Sequence, residues 1–312
     1  MSVFRWINDH SGLPPRLNVR LNLGTLDDLP EESTAPRARG KDLLLALRDA
    51  GYEGIQAGEE FAVHAASTGM RISGSGRVDS PEDALELSCR MVDYGADACT
   101  LHVGTGFEDD HTVDRLCEAI IKASDATGLP LFVETHRATI TQDCWRTIQI
   151  LSRHPQLMIN GDFSHWYTGL EMVYGDFEFK LSKLQPVFAR TGFMHGRIGT
   201  PGCIQVAIDP PFGDDGTEPR TEAQHVRHFR EIWTRCFREF LDNAGPGDMI
   251  VFAPELLAPR IAYARTFQGR EESDRWVQAS YLAKIARQCF ENCVKERGFD
   301  ARSACPPRDA KS

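Results

Sequence analysis

LFVETHRATITQDCWRTIQILSRHPQLMINGDFSHW, residues 131–166, decides how this chain folds. It holds two short apolar runs, Leu131–Glu134 and Leu157–Asn160, each of strand length and each stopping beside an acidic side chain, Glu134 and then Asp162. The chain between them is long enough for a helix to carry it back, because a strand with its return helix takes about 30 residues. Two later runs repeat the device. Phe193–Ile198 carries His195 in GFMHGRIG (192–199), and Met249–Ala253 is followed by Glu255 in MIVFAPEL (249–256).

Working outward, four more β-rich runs lie upstream at Leu17–Leu21, Gly54–Ala57, Met70–Ser73 and Ala98–Val103. Amphipathic segments separate them. KDLLLALRDAG (41–51) closes on glycine, and SPEDALELSCRMVDYGA (80–96) opens with a Ser cap, a first-turn Pro and first-turn acids. DHTVDRLCEAIIKASDATG (110–128), TEAQHVRHFREIWTRCFREFLDNAG (221–245) and EESDRWVQASYLAKIARQCFENC (271–293) follow the same grammar. Strands alternating with helices imply parallel pairing, and right-handed crossovers make a closed (β/α)8 barrel the simplest arrangement of eight. An open doubly wound sheet would need a GxGxxG turn after the first strand. None is present, and GSGRVD (74–79) offers only a weak glycine loop. The expectation is a single α/β domain over residues 1–312, the barrel over about 15–297, with extended loops on its C-terminal face and a mobile tail at 301–312. Thr200–Arg220 and Leu257–Gly269 are the irregular stretches expected to cover that face.

The totals exclude whole classes of function. A net charge of −10 argues against a nucleic-acid partner, which needs a basic face to release counterions. No apolar run is long enough for a membrane span and no secretory leader opens the sequence, so a cytoplasmic protein is expected. Nine cysteines, odd in number and without a CxxC pair, suit reduced thiols.

In such a barrel the C-terminal ends of the strands carry chemistry, and Glu134, Asp162, His195 and Glu255 all fall there. Each alone has a plainer explanation. Glu134 can pair with Arg137, Asp162 can cap the next segment, His195 can be a core histidine, and Glu255 can be a first-turn acid. Four together, on four consecutive strands with nothing comparable on the first three, exceed what capping produces. Three carboxylates and one neutral imidazole make a mixed O/N cage for a divalent cation. His102, His136, His165 and Arg197 cluster nearby as substrate contacts or as partners that orient the ligands.

The order strand-Glu, strand-Asp-x-x-His, strand-His, strand-Glu, with AspPheSerHis at 162–165, resembles the xylose isomerase-like TIM barrels over about residues 15–297. That resemblance implies metal ligation by Glu134, Asp162, His195 and Glu255, and substrate contacts from His165 and Arg197. It also implies a homo-oligomer, a dimer or tetramer. Ketose 3-epimerases of this family carry a further Glu where this chain has Ile140 and an Arg where it has Pro201. The HGRIGTPGCIQV stretch (195–206) looks closer to the sugar isomerase/epimerase-like branch.

These residues would support proton abstraction next to a carbonyl, through an ene-diolate stabilised by one divalent ion: Mn2+ or Mg2+ first, Co2+ or Zn2+ as alternatives. Glu134 and Glu255 form the acid/base pair, and Asp162 and His195 anchor the ion. The expected activity is a metal-dependent isomerase or epimerase of a sugar-like 2-hydroxy-carbonyl compound. One alternative is a metal-dependent lyase acting on oxidised sugar derivatives such as carbon-linked glycosides, whose entrance Trp166, Tyr167, Phe212 and Tyr263 would line. The other is a sugar-binding barrel without turnover.

Overall fold

Strands that are apolar on both faces need cover on both, and a ring of helices around a closed sheet supplies it. The structure, a computed structural model, describes residues 4–213, 216–217 and 221–298; the tail at 301–312 lies outside the described residues. Its barrel strands are β1 (Arg16–Asn22), β2 (Gly54–Gln56), β3 (Arg71–Val78), β4 (Cys99–Val103), β5 (Leu131–Glu134), β6 (Met158–Asn160), β7 (Thr191–Gly196) and β8 (Asp248–Pro254). Each pairs in parallel with the next. β8 then returns to β1, with Leu17 opposite Ile250 and Val19 opposite Phe252, so the sheet closes. The two-residue strand Ile7–Asn8 runs antiparallel to the start of β8.

The helices follow in order: α1 (Gly40–Asp49), α2 (Ala62–Thr68), α3 (Pro81–Asp93), α4 (Asp110–Thr127), α5 (Cys144–Arg153), α6 (Phe163–Gly169), α7 (Phe177–Lys183), α8 (Gln185–Phe188), α9 (Gln224–Asn243) and α10 (Arg275–Glu296). Their ends are set by local chemistry. The Asp109 carboxylate accepts the Thr112 N–H at 2.8 Å to open α4, and Gly128 closes it at φ 74°, a left-handed position that costs glycine nothing. Asp274 opens α10 through the Trp276 N–H at 3.0 Å and also accepts Ser33 Oγ at 2.8 Å, tying the last helix to the loop after β1. On α9 the apolar stripe Phe229, Trp233, Phe237 and Phe240 is fully buried. Trp233 meets Phe252 of β8 edge-on at 4.9 Å between centroids. Each such burial stabilises the fold by roughly 1.5–3 kcal/mol.

Two sequence readings need correction. β3 does not stop at Ser73 but runs to Val78, so GSGRV (74–78) is strand rather than glycine loop. A Cβ on Gly76 would lie 2.5 Å from Leu87 Cδ2, and one on Gly74 would lie 2.3 Å from the Tyr94 hydroxyl. These glycines admit α3 against the sheet. Trp166 and Tyr167 do not line an entrance either. Both are buried in the core, Trp166 donating to the Thr141 carbonyl at 2.8 Å and the Tyr167 hydroxyl meeting His228 Nδ1 at 2.9 Å. Phe212 is only partly buried in its loop. The first part of the Thr200–Arg220 loop is pinned sideways: Ile208 exchanges two hydrogen bonds with Gln278 of α10, and Gln205 exchanges two with Leu257.

The inner face of β1 is polar throughout. RLNVRLN places Arg16, Asn18, Arg20 and Asn22 on one side by the two-residue period of a strand. At the floor, fully buried Arg20 grips Asp97, which Arg71 also reaches at 3.0 Å. At the mouth, Asn22 enters the functional cluster.

Candidate metal centre at the barrel mouth

The register of the strands sets the cluster. Asn22 stands opposite Gln56, Glu134 opposite Asn160, and His195 opposite Ala253, so their side chains share one inward layer. Asp162 follows two residues after β6 and Glu255 one residue after β8. The four expected ligands come together: Glu134, Asp162, His195 and Glu255 offer donor atoms that all lie within 4.8 Å of one another. His195 Nδ1 is 3.3 Å from Glu134 Oε2 and 3.4 Å from Glu255 Oε2. Glu134, Asp162 and His195 are buried.

Neighbours fix the orientation of these groups. The Gln56 amide donates to Thr100 Oγ1 at 2.7 Å, which turns its Oε1 toward His195 Nε2 at 2.9 Å. With Nε2 so engaged, Nδ1 faces the carboxylates, the arrangement by which an acceptor behind a ligating imidazole selects its tautomer. Asn22 Nδ2 donates to Glu255 Oε1 at 2.8 Å and Asn160 Nδ2 to Glu134 Oε2 at 3.0 Å. Asp162 caps α6 through the Ser164 N–H at 3.2 Å, so the plain capping role and the cage role coexist. Glu134 does not pair with Arg137; its ionic contacts are His195 and His102. Glu255 precedes a loop, not a helix.

Charge inside the cluster is unevenly distributed. Arg197, 1% exposed, donates from Nη2 to Asp162 and, at 2.8 Å, to Glu255 Oε2. Its Nη1 has no hydrogen-bond partner. Burial works against the ionised Asp162, yet Arg197 and then His165 hold it down to about 2. Burial likewise opposes charge on Glu134, and His195 with the His102 hydrogen bond keeps it well below the usual carboxylate range. Glu255 goes the other way: burial raises it despite His195 and Arg197. Burial would depress His195, but Glu255 and Glu134 lift it to about 9. His165 is pushed down to about 3 by burial, and neither of its ring nitrogens is hydrogen-bonded.

His102 and His136 complete one wall, their rings 4.3 Å apart, and His136 lies 3.9 Å from His165. The Leu257–Gly269 loop does reach the site. Tyr263 covers Arg197, whose guanidinium carbon is 4.7 Å from the ring centroid, and its hydroxyl is 3.4 Å from His136 Nε2. Sequence reading missed Asn22, Gln56 and Asn160. The signal was present in RLNVRLN and GIQ, where a polar residue recurs at strand spacing in a segment that should be apolar on both faces.

An ion fits this set. The oxygen-rich donors suit Mg2+ or Mn2+, and the orphaned Asn160 Oδ1, Arg197 Nη1 and His165 nitrogens await partners that a hydrated ion and its ligand would bring. No described helix is long and apolar enough to cross a membrane.

The sequence matches no protein-family profile and no curated protein. Solved structures do resemble it. The probable 3-DHS dehydratase AsbF of Bacillus anthracis aligns with a TM-score of 0.54 at 14% identity, covering 86% of this chain and 98% of that one. A sugar phosphate isomerase/epimerase from Parabacteroides distasonis aligns with a TM-score of 0.50 at 10% identity, covering 90% and 96%. A xylose isomerase-like TIM barrel/4-hydroxyphenylpyruvate dioxygenase fusion protein aligns at 0.51 and 11%, over 94% of this chain and 46% of the fusion. At these identities the likeness is one of fold, the closed (β/α)8 barrel.

Proposed function

We propose that the chain is a divalent-metal-dependent isomerase or epimerase of a sugar or sugar-like 2-hydroxy-carbonyl compound. The observation that carries this reading is the convergence of Glu134, Asp162, His195 and Glu255 within 4.8 Å of one another at the barrel mouth, with surroundings that lower Glu134 and raise Glu255. Two carboxylates whose surroundings push them apart in this way can divide the base and acid roles. Glu134, held ionised by His195 and His102, takes a proton from the carbon beside a carbonyl. Glu255, biased toward its protonated form, returns one. A divalent ion held by Glu134, Asp162, His195 and Glu255 supplies Lewis-acid polarisation of the carbonyl. Arg197, through its open Nη1, and His165 meet substrate oxygens, and His102, His136 and Tyr263 wall the pocket. The negative charge of the chain suits a small neutral or metal-chelating substrate rather than nucleic acid.

The test is deuterium exchange from solvent into a panel of keto-sugars and 2-hydroxy-carbonyl compounds, using protein purified without chelator. Glu134→Gln and Glu255→Gln should each abolish exchange while the melting transition is retained. Exchange near the wild-type rate in either variant overturns the acid/base assignment. Bound metal without exchange across the panel favours the binding barrel. One feature favours a lyase as second reading: Tyr263 lies over Arg197 at 4.7 Å with its hydroxyl 3.4 Å from His136 Nε2, which sets a phenol O–H above the site, able to donate to a leaving group. Release of that group by wild type but not by Tyr263→Phe would select it.

A further inference from the structure

Charge is divided across the mouth of the barrel. His102, His136, His165 and Arg197 all stand on the side built by β4 to β7. The opposite side, where β1 and β2 end, holds a cavity of about 380 Å³. That is within the range of small-ligand sites, about 300–1,000 Å³. The cavity adjoins the cage directly, because Asn22 and Gln56 line it and also serve the ligands. Asn22 Nδ2 donates to Glu255 Oε1 at 2.8 Å and to Gln56 Oε1 at 3.1 Å, and Gln56 Oε1 meets His195 Nε2 at 2.9 Å. The two amides are thus the partition between cage and cavity.

Two single turns build the outer walls, Leu23–Leu26 after β1 and Glu59–Phe61 after β2. Leu26 and Phe61 make that surface apolar, and Asp27 and Glu60 supply its charge. None of the described residues that line it is Lys, Arg or His. Arg260, outside the lining, offsets Asp27 at 3.4 Å. The Glu60 carboxylate lies over Gly58, where any Cβ would strike it, so the glycine gives this acid its place. The backbone N–H groups that open the second turn offer no cradle for an anion, since Glu59 and Glu60 already put two negative charges there. A phosphate placed in this cavity would meet like charge with no counter-cation.

We propose that this cavity receives the end of the substrate remote from its metal-chelating oxygens, and that Glu60 makes it select an uncharged, partly apolar end against a phosphorylated one. The inference rests on the reading of the cage as a metal centre for a sugar-like 2-hydroxy-carbonyl compound. It narrows that class to unphosphorylated ketoses long enough to reach past Asn22 and Gln56. The division of charge also orients the substrate: oxygens that gain negative charge face Arg197, and the neutral end lies against Leu26 and Phe61.

The experiment is titration calorimetry of the Mn2+-loaded full chain with dihydroxyacetone, fructose, 6-deoxyfructose and fructose 6-phosphate. Dihydroxyacetone carries the chelating unit but has no far end to fill the cavity. Fructose 6-phosphate should bind at least about tenfold more weakly than fructose, and 6-deoxyfructose no more weakly than fructose. Glu60→Arg should reverse the order of fructose and its phosphate. Ala57→Phe, which fills the cavity from its wall, should weaken fructose at least about tenfold and leave dihydroxyacetone unchanged. Both variants should bind Mn2+ as wild type does, with circular dichroism confirming that each is folded. Asp162→Asn is the control for the cage and should lose Mn2+ together with every probe. Fructose 6-phosphate bound by wild type as tightly as fructose, or an unchanged order in Glu60→Arg, overturns the subsite and leaves the cage intact. Ala57→Phe that binds fructose like wild type does the same. Mn2+-loaded wild type that binds none of the probes overturns the substrate class assigned here. Probe binding that survives in metal-free Asp162→Asn overturns the cage reading instead.

Discussion

Replacing Arg197 by Met isolates what holds the cluster together without its cation. Arg197 is 1% exposed and its Nη2 joins Asp162 to Glu255, the latter at 2.8 Å. At that separation and an effective dielectric of about 20, the gross attraction to Glu255 is about 6 kcal/mol, most of it offset by desolvation of the pair. Removing one partner recovers no desolvation for the carboxylates that stay buried, and such losses run to about 3–5 kcal/mol. With an unfolding entropy of about 2.1 cal/mol/K per residue over 312 residues, that is a fall in melting temperature of roughly 5–8 °C. The assay is calorimetry in chelator, comparing wild type, Arg197→Met, Asp162→Asn and the double variant. The double variant should lose clearly less than the sum of the singles, because Asp162→Asn removes one of the charges that Arg197→Met orphans. Saturating Mn2+ should narrow the gap between Arg197→Met and wild type, since the ion takes over neutralisation. A melting point for Arg197→Met within about one degree of wild type in chelator would refute the account, as would strict additivity in the cycle.

Gln56→Leu removes the acceptor behind His195 and should weaken Mn2+ binding about 10- to 100-fold by titration calorimetry, with the fold retained; unchanged affinity would show that Gln56 does not orient the imidazole. Mn2+ at about 100 times its dissociation constant should stabilise wild type by about 2.7 kcal/mol in a thermal-shift assay, and Asp162→Asn should lose that gain. Gly76→Ala, whose new Cβ would meet Leu87 at 2.5 Å, should cost about 1–3 kcal/mol in urea unfolding; a neutral result would mean that α3 has room to move. Asp274→Ala should cost about 1–2 kcal/mol at pH 7. Burial opposes the ionised Asp274, but hydrogen bonds from Thr34, Ser33 and Trp276 keep its folded-state value below the ordinary 3.8. Its contribution is therefore complete above that value and lost as pH falls beneath it, so the wild-type and variant acid-unfolding curves should converge at low pH.

The strand ends were legible because burial on both faces leaves short, unbroken apolar runs, and seven of the eight expected strands begin and end within two residues of those observed. β3 was the exception: its middle is Gly-Ser-Gly, and the glycines are there to admit Leu87, Met91 and Tyr94 rather than to make a turn. The charged members of the cluster were legible for the same reason, since an acid after an apolar run is conspicuous. The amides were not. Asn22, Gln56 and Asn160 act by orienting other groups, and nothing in a one-dimensional pattern tells an orienting amide from a solvated one. Tyr263 could be placed near the mouth but not on Arg197, because loop position says nothing about which ring faces which guanidinium.

The seam between β1 and β8 bears on how the protein is made. Arg16 stands beside Met249, and Asn22 reaches Glu255, so one wall of the mouth joins residues from opposite ends of the chain. At a synthesis rate of about 5–20 residues per second, β1 waits roughly 10–50 s on the ribosome with that edge exposed before its partner emerges. Glu255, among the last of the cluster to be synthesised, cannot meet Asn22 until the ring shuts. A nascent or truncated chain therefore carries an open sheet edge and an incomplete cage, and competence arrives with closure rather than by degrees.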